Sequence, residues 1–266
     1  MSQFFTYDYQ WMAYVGAIAS SVIALVVLAL LARKYAERKA VTVRSLRNMA
    51  AFLMLAAVID YVTFTINALY PGWRLAFDYV RLGSYMSFTA NAIANIYLLL
   101  FIRDVFFDGK AKVSIKLLAG LEAAVGPALV AIFFTDDPDL PLLALAVHVA
   151  SALVIYTILS ANAFRLRGRI KSDASRQVEA HGLAFIGISG LVMFAAVILF
   201  VAHEVIIIVP IREYWTVTLG WLLGAFGGVI VYLGFTPPES LKNRWAKQVP
   251  KGKANSARKK PDKQYT

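Results

Sequence analysis

Seven times along the chain the polar positions thin out and an apolar stretch takes over, at about 11–32, 46–69, 75–102, 114–134, 140–164, 181–209 and 214–235. A helix rises about 1.5 Å per residue, so each stretch reaches or approaches the roughly 20 residues that cross a hydrocarbon core of about 30 Å. Inside hydrocarbon every backbone N–H and C=O must be bonded within the segment itself, which makes each span a helix. The predicted fold is therefore an all-α integral membrane bundle of seven transmembrane helices. The connections are short: "YPGWR" turns helix 2 into helix 3, "TDDPDLP" joins helices 4 and 5, and "VPIREYW" joins helices 6 and 7. The expected organisation is a seven-helix transmembrane domain over 1–236 and a basic tail over 237–266 that is disordered in isolation. No internal repeat marks the two related halves of many secondary transporters.

Composition changes this picture only by exclusion. With 59% hydrophobic and 16% charged residues, the chain carries more apolar surface than one soluble core can bury. Cysteine is absent, which removes disulfides, iron–sulfur clusters, zinc-thiolate sites and thiol catalysis. The three histidines, His148, His181 and His203, are too few to hold two haems by paired ligation. The patterns HExxH, GxSxG and the P-loop do not occur. A retinal pigment needs an intramembrane lysine for its Schiff base, and no lysine lies between Lys171 and Lys242. The expectation is a protein with no cofactor, no metal and no enzymatic activity.

Charge sets the orientation. Of the 27 Lys and Arg, all but Arg74, Arg81 and Arg212 fall in the 1–2, 3–4 and 5–6 loops and the tail. The positive-inside rule then places the N-terminus outside and the C-terminus in the cytoplasm. The N-terminus lacks a basic n-region and a cleavage site, so helix 1 is expected to stay in the mature protein. The tail residues Lys247, Lys251, Lys253, Arg258, Lys259 and Lys260, with Trp245, form a polybasic segment that suits anionic lipid at about 1 kcal/mol per charge, or a protein partner. The net charge of +11 follows from this topology and is a poor argument for nucleic acid.

Polar side chains inside a membrane are costly, so their positions carry the candidate chemistry. Asp78, Arg81, Asn91 and Asn95 form a stripe on helix 3, and Asp60 and Asn67 share a face of helix 2 with Thr63. His148 on helix 5 and His203 and Glu204 on helix 6 fall at a comparable depth, counted from the outer loops. These nine residues are the candidate ligand contacts of a polar, outward-facing chamber. The plainer alternative is that Asn91 and Asn95 only bond neighbouring helices, that Asp60 and Arg81 are a packing ion pair, and that His148 is a satisfied packing residue. Glu122 lies in the inner half of helix 4 near Pro127, outside the pattern and with no partner evident. On helix 7, Gly220, Gly224 and Gly228 form a small-xxx-small track, for which tight packing against Gly187 and Gly190 of helix 6 is the expected use.

The end of helix 7, "YLGFTPPESLKNRW", resembles the boundary where seven-helix N-terminal sensor regions of bacterial signalling proteins pass into GAF, PAS or histidine-kinase modules; Gly234, Phe235, Pro237, Pro238, Leu241 and Trp245 carry the resemblance. It implies a multi-pass sensor of a prokaryotic plasma (inner) membrane that signals inward by moving helix 7. Here "AKQVPKGKANSARKKPDKQYT" follows in place of an output module. The functional expectation is a non-enzymatic receptor-like or sensor-like protein. The alternatives are an accessory subunit of a larger membrane complex and, third, a small transporter.

Overall fold

The computed structural model describes residues 4–69, 79–110, 112–132, 134–135, 139–206 and 215–247, and within these the side chains of 4–14, 67–69, 79–81, 203–206, 247 and a few others lie outside the description. Among the described residues the chain is all-α: α1 (Phe4–Arg38), α2 (Val41–Leu69), α3 (Tyr79–Phe106), α4 (Val113–Ile132), α5 (Asp139–Ile170), α6 (Gln177–Ile206), α7 (Trp215–Phe235) and α8 (Glu239–Lys247), with one 3₁₀ turn at Ala174–Arg176. Seven of these helices are long and apolar enough to cross a membrane.

Each helix packs on the next, and α7 returns to α1, so the seven spans close a ring. α3 also reaches across to α5, which makes it the most enclosed span, half of it buried. The helices run further than the apolar stretches predict at one end, the one carrying the basic loops: α1 extends to Arg38, α3 to Phe106 and α5 to Ile170. Long basic side chains there keep their charges in water while their stems cover apolar surface, so the helix need not stop where hydrocarbon does. The turns at this basic end are tight. Lys39 (φ 48°) and Asp108 (φ 51°) take left-handed backbone, and Gly109 (φ 76°) donates to the Arg103 carbonyl at 3.2 Å to close the end of α3. Between α5 and α6, Asp173 accepts from the Ser175 hydroxyl at 2.7 Å and from the Ser175 backbone N–H at 2.9 Å, and these two bonds hold its carboxyl below the usual carboxylate range.

Lipid tails are as apolar as leucine, so burial of apolar area does not by itself draw helices together in a membrane; close packing and polar bonds must do it. The close packing is concentrated in the basic half, where Leu31, Leu46, Leu98, Phe101, Ile155 and Val231 belong to one cluster and are fully buried or nearly so. The outward faces are apolar as well, as at Val22, Leu25, Leu117, Leu191 and Phe226, which suits contact with acyl chains.

Beyond α7 the tail is not structureless. Pro237 and Pro238 end α7, and α8 begins at once, with Leu241 N–H donating to the Pro238 carbonyl at 3.0 Å. Glu239 in the first turn pairs with Lys242 at 2.6 Å, which lowers its carboxyl pKa. Leu241 and Trp245, one turn apart, form the apolar side of α8. Trp245, expected to meet lipid or a partner, is instead 5% exposed: it stacks on His181 of α6 with centroids 5.4 Å apart and lies 5.3 Å from the Phe185 ring. That also supplies His181 with a contact the sequence did not suggest. Lys251, Lys253, Arg258, Lys259 and Lys260 and the side chain of Lys247 lie outside the described residues.

Candidate functional site

The described polar candidates do not gather into one chamber. They divide into a buried knot between α3, α4 and α5 and a cavity walled by every span except α4.

The knot is centred on Glu122, which is 1% exposed. An ionised carboxylate only accepts hydrogen bonds, and buried in apolar surroundings it costs several kcal/mol unless donors surround it. Three surround Glu122. His148 of α5 approaches Oε2 through Nδ1 at 2.8 Å, Asn95 of α3 donates Nδ2–H to Oε1 at 3.2 Å, and the Ser151 hydroxyl bonds the same oxygen. Tyr156 of α5 donates its hydroxyl to Asn95 Oδ1 at 3.0 Å, which fixes the amide so that its N–H faces the carboxylate. His148 and Ser151 stand three residues apart on one face of α5, and Phe88 of α3 packs edge-on to the imidazole at 6.0 Å. A second bond ties α3 to α4 beside the knot, from Thr89 Oγ1 to the Gly126 carbonyl at 2.8 Å, next to Pro127.

Two readings of the sequence are corrected here. Glu122 has partners on two neighbouring helices, and His148 belongs to it and not to an open chamber. Neither was accessible from spacing, because the partners lie 26 to 29 residues away along the chain. The available signal was Glu122 itself, since a carboxylate in the middle of an apolar span requires donors from elsewhere.

The cavity lies on the other side of Tyr156 and measures about 70 Å³. Every span except α4 contributes to its wall. α1 presents Ser20, Ala24 and Val27, at helical spacings that put all three on one face, and α2 presents Met49, Leu53 and Ala57 in the same way. α6 adds Met193 and Phe200, α3 adds Asn91, and α5 adds Tyr156, so the knot and the cavity share that residue. The α7 wall is the glycine track. A Cβ at Gly224 or Gly228 would meet nothing within 4 Å, and both line the cavity, so these two glycines leave space open where helix packing was expected. Gly220 alone of the three touches α6, through the Phe200 ring. The close approaches of α6 and α7 are elsewhere, at Gly227 against Met193 and at Gly234 against the Gly182 carbonyl. Gly187 and Gly190 face α5, against Phe164 and Ser160.

Two buried donors at this cavity lack hydrogen-bond partners: the Ser20 hydroxyl, in a residue 2% exposed, and the Trp221 indole N–H, in a residue 8% exposed. Asp60 of α2 lies one turn beyond Ala57, in reach of the Ser87 hydroxyl and the Trp221 indole, although the indole N–H makes no well-directed bond to it. Of the nine candidate contacts, then, Asn91 lines the cavity, Asp60 flanks it, and Asn95 and His148 belong to the knot. Asp78 and the side chains of Asn67, Arg81, His203 and Glu204 lie outside the described residues, and with them the proposed Asp60–Arg81 pair. No group of three or more possible metal ligands occurs among the described residues.

Compared with models of known protein families and with curated proteins, the chain matches none.

Proposed function

We propose that the protein is a non-enzymatic, receptor-like membrane sensor in which an occupant of the central cavity acts on α7 and, through it, on α8. The observation that carries this reading is the α7 glycine wall: Gly224 and Gly228 face open space in a helix that elsewhere packs closely enough for Gly234 to meet a neighbouring backbone carbonyl. Small residues kept where nothing touches them preserve volume, and volume is what a ligand needs. α7 then connects through two prolines to α8, whose Trp245 rests on His181 and Phe185 of α6. A change in the α6–α7 spacing therefore reaches the His181–Trp245 contact directly. In the proposed orientation the basic ends face the cytoplasm, so α8 and the basic tail are the signalling side, with anionic lipid as their first neighbour.

The test uses the absence of cysteine. Spin labels on Ser172→Cys, in the α5–α6 turn, and Ser240→Cys, on α8, report the separation of α8 from the bundle by pulsed electron resonance, in the parent and with Gly224→Val or Gly228→Val filling the cavity. The expected result is a shifted or broadened distance distribution on filling. Identical distributions in all three proteins would break the link between cavity and α8 and leave the accessory-subunit reading in its place. Labelling the same Ser172→Cys with a membrane-impermeant maleimide checks orientation: in intact cells it should stay unmodified, and Thr135→Cys should react.

A further inference from the structure

The size of the cavity and the spread of its polar groups decide what it can hold. Successive spans alternate in direction, so α1, α3, α5 and α7 all run toward the basic end. A Cβ on Gly16 of α1 would touch Thr218 of α7, which sets those two residues level; Ser20 and Trp221, about one turn further along their helices, are then level as well. Trp221 and Ser87 of α3 both lie in reach of Asp60, so Ser87 stands at that height too. Asn91 is one turn deeper than Ser87, and Asn95, which Tyr156 bonds from α5, is two turns deeper. At about 5.4 Å per turn, the cavity therefore carries polar lining at three successive levels: Ser20 with Trp221, then Asn91, then Tyr156.

A volume of about 70 Å³ is room for about two waters, each of which takes about 30 Å³ in the liquid. Even a larger cavity stays dry when it is apolar, because water inside it lacks partners. Here the partners are present. Ser20 Oγ–H and Trp221 Nε1–H are buried donors with no acceptor in the protein. Asn91 brings an amide that both donates and accepts, and Tyr156, whose hydroxyl donates to Asn95, keeps an oxygen able to accept. A buried water needs two to four such groups, and a buried donor left unmade costs more than holding a water usually does. Among the described residues no charged side chain lines the cavity, so a desolvated ion would find no counter-charge there, whereas neutral solvent needs none.

From this arrangement we infer that the cavity is a hydration site within the membrane, holding two waters in line: the first accepts from Ser20 and Trp221, and the second bonds Asn91 and Tyr156. Two waters joined by three bonds of about 2.8 Å reach about 8 Å, which covers the descent from the Trp221 level to the Asn91 level and leaves the rest to the length of the tyrosine side chain. Solvent thereby joins the group around Asp60 and Trp221 to the knot around Glu122, through Tyr156. The inference goes beyond the sensor reading and stands without it: the waters are held whether or not an occupant moves α7, and a ligand that entered would displace them. A water released to bulk remakes its bonds there, so deleting one of its partners changes stability little, and the site has to be detected by the water itself.

The experiment is water-edited solid-state NMR of the full chain in lipid bilayers, with isotopically labelled tryptophan and asparagine and with signals assigned by their loss in Trp221→Phe and Asn91→Leu. In the parent, the Trp221 indole N–H and the Asn91 side-chain amide should both receive magnetisation from water. In Gly224→Val, which fills the cavity, both transfers should fall at least threefold while the other tryptophans keep theirs, and unmoved signals from those tryptophans show that the variant is folded. Gly224 and Gly228 both have room for a larger side chain, so Gly228→Val is a second filling variant on the same wall. A dry Trp221 or a dry Asn91 in the parent overturns the inference. So does transfer that both filling variants leave unchanged, since that water would come from outside the cavity. None of these signals depends on the position of α8, so a dry cavity and an α8 that ignores cavity filling are separate failures.

Discussion

The knot around Glu122 and the cavity beside Trp221 share Tyr156, yet they treat buried polar groups in opposite ways. In the knot every acceptor oxygen of Glu122 has a donor, supplied from α3 and α5. At the cavity two donors have no acceptor and two glycines face empty space. A saturated network holds helices in one arrangement, whereas unmet donors beside a void leave interaction energy for something that is not part of the chain. The difference separates a side of the bundle that is bonded throughout from one with open space, and with it residues that look alike in sequence: Asn95 belongs to the bonded network, and Asn91, four residues earlier on the same helix, lines the cavity.

The largest effect should come from breaking the saturated side. Glu122→Ala strands His148, Asn95 and Ser151 in the interior and should destabilise the bundle by about 3–5 kcal/mol, while Glu122→Gln, which keeps one acceptor, should cost clearly less. Reversible unfolding in mixed micelles measures both, and a neutral Glu122→Ala would mean that the knot is not what joins α3, α4 and α5. Next comes Asn95→Leu, which removes the acceptor of Tyr156 and a donor to Glu122 and should cost about 1–3 kcal/mol by the same assay. Because it touches the shared residue, it should also alter cavity binding; an unchanged ligand response would show the two regions to be independent.

The glycines sharpen the comparison further. Gly234→Ala puts a Cβ against the Gly182 carbonyl and the Phe185 side chain and should cost about 1–3 kcal/mol, whereas Gly224→Ala should be neutral or stabilising. Equal losses at both positions would show that the track on α7 is a packing surface along its whole length. The smallest loss should be that of Ser20→Ala, which removes a buried hydroxyl with no bond inside the protein and so should leave stability unchanged or raise it, a loss of zero or less. A loss above that in the ligand-free protein would reveal a partner for Ser20 and close the case for a receptive cavity.

Much of this architecture is written along the chain. The seven spans, their all-helical character and their short connections follow from where apolar residues accumulate, since hydrocarbon permits little else. The ends of the helices were less legible: α5 runs to Ile170 through Arg165, Arg167 and Arg169, where a strictly apolar criterion stops, because basic side chains at a membrane surface prolong a helix as readily as they end it. α8 and the burial of Trp245 were hidden behind the basic tail, although the one-turn spacing of Leu241 and Trp245 is an amphipathic signal.

What the sequence determined by itself was the bundle, because crossing hydrocarbon is a property of each segment taken alone. Only the tertiary structure decided what the polar residues do. Whether Glu122 is satisfied, whether His148 belongs to it, and whether Gly224 touches a neighbour or a void are relations between helices, and a pattern read along one helix records which face is polar but not what stands opposite it. Hydrogen bonds act over about 3 Å, so partners 26 residues apart in sequence become visible only when the helices are brought together.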